Sequence, residues 1–194
     1  ENTNGTTTYA WENSNTSIGL AATTGTGDIA TFQATNLSNV PVEATITVTP
    51  TFTNDEVSCI GPSKPFTITV NPEPQINNFT ETICEGGLGF SDITPLNGTD
   101  GVVPTGTTYS WEIASTSSND ITGGSSGSGT TIPGSVLQNA SNSPQDLIYT
   151  VTPTSADDCE GEDFTVTITV NPEPQINNFT ETICEGGLGF SDIT

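Results

Sequence analysis

Basic side chains are almost absent from this 194-residue sequence. It contains 23 acidic residues, one lysine (Lys64), no arginine and no histidine, so its formal net charge at pH 7 is −22. Without histidine and arginine, Ser–His and Cys–His catalytic relays and basic oxyanion clamps cannot be built. Nucleic-acid binding needs a basic patch, and anionic lipid repels a polyanion. The sequence therefore predicts that the protein is not an enzyme and does not bind nucleic acid.

Long apolar runs and methionine are also missing. No run of 18 apolar residues occurs, which predicts no direct insertion into a membrane. Hydrophobic residues make up 31% of the chain, but charged residues make up only 12%, too few to favour disorder. An ordered β-protein with polar outer faces fits this composition. Because no methionine starts the chain, we expect the sequence to be a segment of a longer polypeptide.

The sequence carries one string twice. TITVNPEPQINNFTETICEGGLGFSDIT occupies residues 67–94 and again residues 167–194, and TTYAWE at 7–12 is matched by TTYSWE at 107–112. A period of about 100 residues is the size of a small globular domain. The predicted organisation is a unit lacking its first strands at 1–70, a complete unit at 71–170, and the first strands of a following unit at 171–194.

Alternation of apolar residues with threonine predicts strands throughout. In the complete unit the predicted strands are 76–83, 88–96, 107–114, 146–153 and 164–170. Trp11 and Trp111, each on a YxW strand, are predicted core anchors. Between units, VNPEP at 70–74 and at 170–174 carries two prolines, which predict a short, stiff joint. The predicted fold is all-β: tandem immunoglobulin-like β-sandwich domains in a rod-like array.

The four cysteines occur two per 100-residue repeat, at equivalent positions, which favours disulfides formed in an oxidising compartment over free thiols. We favour pairing Cys84 with Cys159, which leaves Cys59 and Cys184 with partners outside the sequence. Two alternatives stay open. One is a bridge from the first turn of one unit to the last loop of the next, and the other pairs Cys59 with Cys84 and Cys159 with Cys184.

One loop, SADDCEGEDF, concentrates acidic side chains in the second unit. Calcium takes six to eight oxygen ligands, which such a loop can supply. The candidate ligands are Asp157, Asp158, Glu160, Glu162 and Asp163. Against this, the loop lacks EF-hand spacing, and the first unit keeps only Asp55 and Glu56 there. The alternative is a solvated acidic loop. Calcium is the one candidate cofactor, and none is required.

The joint ITVNPEPQI, the turn TICEGG and the YxW strand together resemble the PKD-like, immunoglobulin-like repeats of giant secreted surface proteins of Bacteroidetes. The resemblance extends over essentially the whole chain, and that group includes the SprB-like gliding-motility adhesins. It implies an extracellular location at the cell surface, often reached by type IX secretion. The partners it implies are neighbouring repeats of the same long chain, with surface polysaccharide or outer-membrane machinery as external candidates.

Two functions follow from these observations. The first is a structural spacer or stalk repeat of a very large cell-surface adhesin or filament, of which a gliding-motility adhesin is the specific case. The second is a module that binds polysaccharide or a partner protein through its loops. The loops at 13–28 and 113–130 differ in sequence, whereas the joints are identical. Because a ligand-binding array is expected to repeat its loop chemistry, the spacer is the preferred hypothesis.

Overall fold

A computed structural model of the protein describes residues 4–176 and 180–187. In this part of the chain the fold is all-β, with a 3₁₀ turn at Thr16–Ile18 and no α-helix. The predicted all-β fold class is therefore confirmed. The described residues include no helix with the length and apolar character needed to cross a bilayer.

The first sheet is built from residues 4–70, which we call the first unit. Its strands are β1 (Thr6–Asn13), β2 (Thr24–Thr26), β3 (Val42–Asn54), β4 (Val57–Ile60) and β5 (Lys64–Val70). They lie in the order β2-β1-β3-β4, and β5 pairs with the other half of the long β3. All pairs are antiparallel. Among the described residues β5 pairs with β3 alone, so β5 forms an edge of this sheet.

The second sheet is built from residues 71–171, which we call the second unit. Its strands are β6 (Gln75–Ile76), β7 (Phe79–Cys84), β8 (Gly101–Val102), β9 (Thr108–Ile113), β10 (Ile121–Thr122), β11 (Gly127–Gly129), β12 (Gln138–Asn139), β13 (Gln145–Thr154) and β14 (Phe164–Asn171). The main sheet has the order β11-β9-β13-β14-β7, and β7 runs parallel to β14. The pairs β6–β8 and β10–β12 lie outside the main sheet and complete the sandwich.

Three of the predicted strands in the second unit are confirmed as β9, β13 and β14. The predicted strand at 76–83 is interrupted, since β6 ends at Ile76 and β7 begins at Phe79. The predicted strand at 88–96 is wrong: this segment makes an isolated bridge from Ile93 to Ile132. Gly89 takes φ +83°, which is outside the extended region, so regular alternation fails there.

Each unit has its own hydrophobic core. Alternate residues of β14 are fully or almost fully buried, from Phe164 at 1% exposure to Val170 at 0%. They pack with Tyr109, Trp111 and the apolar residues of β13. In the first unit Trp11, Ile18 and Ile46 form a smaller cluster. Both tryptophans are buried, at 7% and 5% exposure, which confirms them as core anchors.

Candidate functional site

The joint between the two sheets is packed against the second unit. Pro72 and Pro74 are fully buried, while Glu73 between them is exposed. Gly161 lies against the joint: a Cβ added there would stand 2.1 Å from the carbonyl oxygen of Pro74. The same glycine donates its N–H to the carbonyl of Pro153 at 2.9 Å. The prolines fix φ, and the backbone of Pro74 lies against Gly161, so the joint is held by packing as well as by proline.

The chain is also fixed where it leaves the joint. Gln75 and Ile76 pair with Val102 and Gly101, and the Asn77 N–H donates to the Asp100 carbonyl at 2.8 Å. A Cβ at Gly101 would stand 2.0 Å from the Gln75 carbonyl oxygen, so no side chain fits between the two segments. The first residues after the prolines are therefore part of the second unit.

Two asparagines pin the strands that lead into the two copies of the joint. Asn36 is buried, and its Nδ2 donates to the Val70 carbonyl at 2.9 Å. Asn139 is buried in the same way, and its Nδ2 donates to the Val170 carbonyl at 2.8 Å. Each Oδ1 accepts from the N–H and the hydroxyl of the serine two residues later. Sequence reasoning missed this pair, although the Asn-x-Ser pattern recurs in both units.

Surfaces from both units meet at the joint. One cavity of about 560 Å³ is lined by Asn36 and Val70 of the first unit, by Glu73 of the joint, and by Cys159 of the second unit. A second cavity, of about 540 Å³, is lined by Glu73 together with Glu162 and Asp163 of the acidic loop. The acidic loop and the joint therefore share one surface, on which acidic side chains are concentrated.

The acidic loop does not gather its carboxylates around one point. Its five candidate ligands are all exposed: Asp157, Asp158, Glu160, Glu162 and Asp163. Asp163 Oδ1 accepts a 2.6 Å hydrogen bond from the hydroxyl of Thr152. Within residues 4–176 and 180–187, no group of three or more Asp, Glu, His or Cys side chains is arranged to hold a metal ion. This geometry agrees with a solvated loop, and the calcium site stays a prediction.

The structure does not bring Cys84 and Cys159 together. All four cysteines are free. Cys84 ends β7 opposite Asn171, at the far end of β14, whereas Cys159 precedes the start of that strand. The two ends of β14 are about 23 Å apart at the usual rise per residue, while a disulfide needs Cα atoms within about 7 Å. Bridges from Cys59 and Cys184 to partners outside the sequence stay predictions.

The ionisable groups with a clear pKa shift lie in the core of the second unit. Burial raises the pKa of the Tyr109 hydroxyl, and the negative charge of Asp100 raises it further. Burial also raises the pKa of Tyr149, whose hydroxyl accepts the Ser125 N–H at 3.3 Å. Both tyrosines pack within the hydrophobic core of the second unit. Glu12 and Glu112, next to the tryptophans, are exposed.

Comparison with known protein families gives a match that lies within and just beyond the second unit. Residues 81–174 match the family model of the PKD-like domain. The match begins inside β7 and ends inside the second copy of the joint, so it contains the whole main sheet apart from the start of β7. No curated protein matches the chain. PKD-like domains are typically extracellular and non-catalytic modules of repeat or adhesion proteins.

Proposed function

We propose that this chain is a spacer segment of a very large secreted cell-surface protein, an adhesin or filament of the gliding-motility type. In this proposal PKD-like repeats follow one another in a rod and hold a distal region away from the cell. The observation that carries the proposal is the joint at 70–74, whose two prolines are buried, with the backbone of Pro74 against Gly161 of the second unit. A flexible tether would leave these residues in solvent.

The proposed mechanism is mechanical. Proline removes the freedom of φ at two positions of the joint, and the backbone contact of Gly161 with Pro74 restricts movement of the second unit about that point. The net charge of −22 adds repulsion between neighbouring rods, which salt screens beyond about 8 Å at physiological ionic strength. Repulsion of this kind keeps long surface proteins from collapsing onto one another.

The second copy of the joint supports a neighbouring repeat as the main partner. It has the same sequence, VNPEP at 170–174, but Pro174 is exposed whereas Pro74 is fully buried. The difference has a local cause, since Pro74 is covered by Gly161 of the unit that follows it. We propose that a following repeat covers Pro174 in the same way. Surface polysaccharide and outer-membrane machinery are the proposed external partners of the whole protein.

The two copies of the joint provide a matched experiment. Pro72→Gly/Pro74→Gly is expected to shorten the maximum dimension of the chain in small-angle X-ray scattering and to broaden its distance distribution. Pro172→Gly/Pro174→Gly makes the same change in the exposed copy and is expected to leave both unchanged. The same profile for both variants, or a compact wild-type particle, would contradict the spacer proposal.

A glycan array separates the spacer from a ligand-binding module. The spacer proposal expects no reproducible binding by this chain, because its variable loops at 13–28 and 113–130 share little chemistry. Reproducible binding of one polysaccharide class, lost on exchanging the 113–130 loop for the 13–28 loop, would favour the binding module instead. Folding of the exchanged variant is checked by its β-sheet circular dichroism spectrum.

A further inference from the structure

The chain enters and leaves the second unit at opposite ends of one strand. The joint at 70–74 lies against Gly161, three residues before β14 begins, and its Glu73 shares a cavity with Asp163. The chain leaves through Asn171, the last residue of β14, and continues into the second copy of the joint. A pull along the chain therefore acts on the unit from the two ends of β14.

The first long strand after the joint is β7, and it pairs in parallel with the last strand of the unit. Six residue pairs join the two strands, from Phe79 opposite Val166 to Cys84 opposite Asn171. A pull on the joint draws β7 back towards its start, while a pull from the other side draws β14 towards its end. Because the strands are then displaced in opposite directions along their own axes, all the pairs are loaded at the same time.

Side chains hold the start of this strand pair. The Thr165 N–H donates to Asn78 Oδ1 at 2.8 Å, just before the first residue pair. The rings of Phe79 and Phe164 lie 5.9 Å apart, and Phe79 packs against the core of the second unit. The start of β7 is therefore fixed to β14 by side chains as well as by the backbone.

The turn after β7 holds the other end of the strand pair. The Glu85 N–H donates to the Asn171 carbonyl at 2.9 Å, which continues the pairing by one more bond. The Glu85 carboxylate accepts the Glu173 N–H at 3.2 Å, within the second copy of the joint. Ile83, near this end, packs against the core. The outgoing joint is thus attached to β7 as well as to β14.

We propose that β7 and β14 form a shear clamp, through which the second unit bears tension applied along the chain. Opening the clamp requires its backbone hydrogen bonds to fail together, whereas pairs that are opened from one end fail one after another. The other strands of the main sheet lie outside the loaded path, because β14 stands between β13 and β7 and the chain enters and leaves through β7 and β14.

The clamp goes beyond the spacer role, since it concerns resistance to stretching and not the shape of the unloaded chain. A flexible joint in small-angle scattering would contradict the spacer and leave the six pairs of the clamp in place. A unit that unfolds under small forces would contradict the clamp and leave an extended spacer possible. The two proposals therefore fail in different measurements.

The direction of pulling tests the clamp without altering it. In a chain with Cys59→Ser, Cys159→Ser and Cys184→Ser, the exposed Cys84 is the one remaining thiol. Single-molecule stretching between the two chain ends loads β7 and β14 in shear, whereas stretching between Cys84 and the C-terminal end opens the same pairs one by one.

Unfolding of the second unit is recognised in both experiments by the length that it releases, about 300 Å at the usual reach of an extended chain. Forced unfolding is governed by the unfolding rate, so we expect a force at least about twofold higher in the shear direction. Equal forces in the two directions would overturn the proposal.

Two neighbouring proline substitutions test the backbone bonds of the clamp. Alternate residues of a parallel strand bond to one neighbour, so Glu81 bonds to β14 as Glu85 does, while the N–H of the exposed Thr82 points away from β14. Glu81→Pro is expected to raise the unfolding rate at constant force about tenfold through loss of one loaded bond. Thr82→Pro, on the outer side of an edge strand, is expected to raise it about twofold or less. Equal rates would show that these bonds carry no tension.

A core substitution in β13 separates the clamp from overall stability. Val151 is fully buried and lies between Trp111 of β9 and Phe164 of β14. Val151→Ala is expected to lower the Tm of the second unit by about 10 °C, but to raise its unfolding rate at constant force less than about threefold. If Val151→Ala raises that rate as much as Glu81→Pro does, resistance to tension follows the stability of the core, and the clamp is disproved.

Discussion

Tyr9 and Tyr109 occupy the same position in two copies of one strand, yet Tyr9 is 50% exposed and Tyr109 is 3% exposed. The strands beneath them are alike, since β1 and β9 both pair with a long central strand through the same residues of the YxW pattern. The difference comes from what lies over the sheet. In the second unit, residues 75–105 add β7 and the segment containing Phe90 and Ile93 to the core. The described part of the first unit has no such layer.

The comparison shows how burial depends on neighbours and not on the strand alone. Ile68 and Ile168 have the same flanking sequence, but only Ile168 is fully buried. The joint gives the same lesson, with Pro74 buried and Pro174 exposed. Alternation determines which face of a strand is apolar, and the next segment of chain determines whether that face is covered.

The largest difference in destabilisation between the units is expected when Ile68 and Ile168 are replaced by alanine. Ile168→Ala should lower the free energy of unfolding of the second unit by about 3 kcal/mol, because it opens a cavity in a closed core. Ile68→Ala should cost the first unit about 1 kcal/mol, since water already reaches that side chain. Amide hydrogen exchange, followed separately on β3 and β13, measures the free energy of unfolding of each unit. Equal losses would mean that the two cores are covered equally in solution.

The buried asparagines should show the opposite behaviour, with equal effects in both units. Asn36→Ala and Asn139→Ala each remove two donated bonds to backbone carbonyls. Each is expected to cost about 2 kcal/mol. Asn142→Ala, at an exposed neighbouring position, is the control and should cost less than about 0.5 kcal/mol. A much smaller effect at Asn36 would show that the first unit does not keep this network in solution.

Much of the fold could be predicted because its signals are local. The apolar alternation of β13 and β14 follows from side chains that point to opposite faces of a strand, and both strands are found where alternation predicts them. The predicted strand at 88–96 failed because Phe90 and Ile93 are buried three positions apart, just after Gly89, which has a positive φ. Irregular segments bury residues without a period, so no periodic pattern identifies them.

The candidate site was harder to predict because it depends on distance through space. The prolines of the joint are recognisable from the sequence as stiffening residues, but the contact of Pro74 with Gly161 joins residues far apart along the chain. The sequence favours pairing Cys84 with Cys159, which both lie in the complete unit, whereas parallel pairing of β7 with β14 puts the two cysteines at opposite ends of a strand. Strand direction in a sheet is not encoded in the spacing of cysteines.

Two equivalent glycines test how far the joint depends on close backbone contact. Gly161→Ala would place a Cβ 2.1 Å from the Pro74 carbonyl, so the loop or the joint must move, at an expected cost of about 2 kcal/mol. Gly61→Ala meets the side chain of Pro50 at 2.9 Å, and that contact involves no joint. We expect Gly61→Ala to cost about 1 kcal/mol or less. Thermal unfolding measures the stability, and small-angle scattering should broaden only for Gly161→Ala. If the distance distribution broadens in both variants, the rigidity of the joint does not depend on the Gly161 contact.

The smallest expected difference between the units is in how their stability changes at alkaline pH. The second unit has Tyr149 where the first has Ile46, a fully buried residue that does not titrate. Burial raises the pKa of Tyr149 above its ordinary value of 10.0, against a smaller lowering by its bond with Ser125. The unfolded chain therefore releases this proton at lower pH than the folded chain does. The stability that Tyr149 provides is complete below pH 10 and is lost as the pH rises through the folded pKa.

Tyr149→Phe removes the titrating hydroxyl and keeps the ring that packs against Phe90 at 6.4 Å between centroids. We expect urea unfolding of the second unit to lose less stability between pH 9 and pH 11 in this variant than in wild type, with reductant present to protect the thiols. Tyr109→Phe should act in the same direction, because burial and the nearby charge of Asp100 both raise the pKa of Tyr109. If wild type and both variants lose stability in parallel, the alkaline loss arises outside this core. The difference in stability between the two units would then come from apolar burial alone.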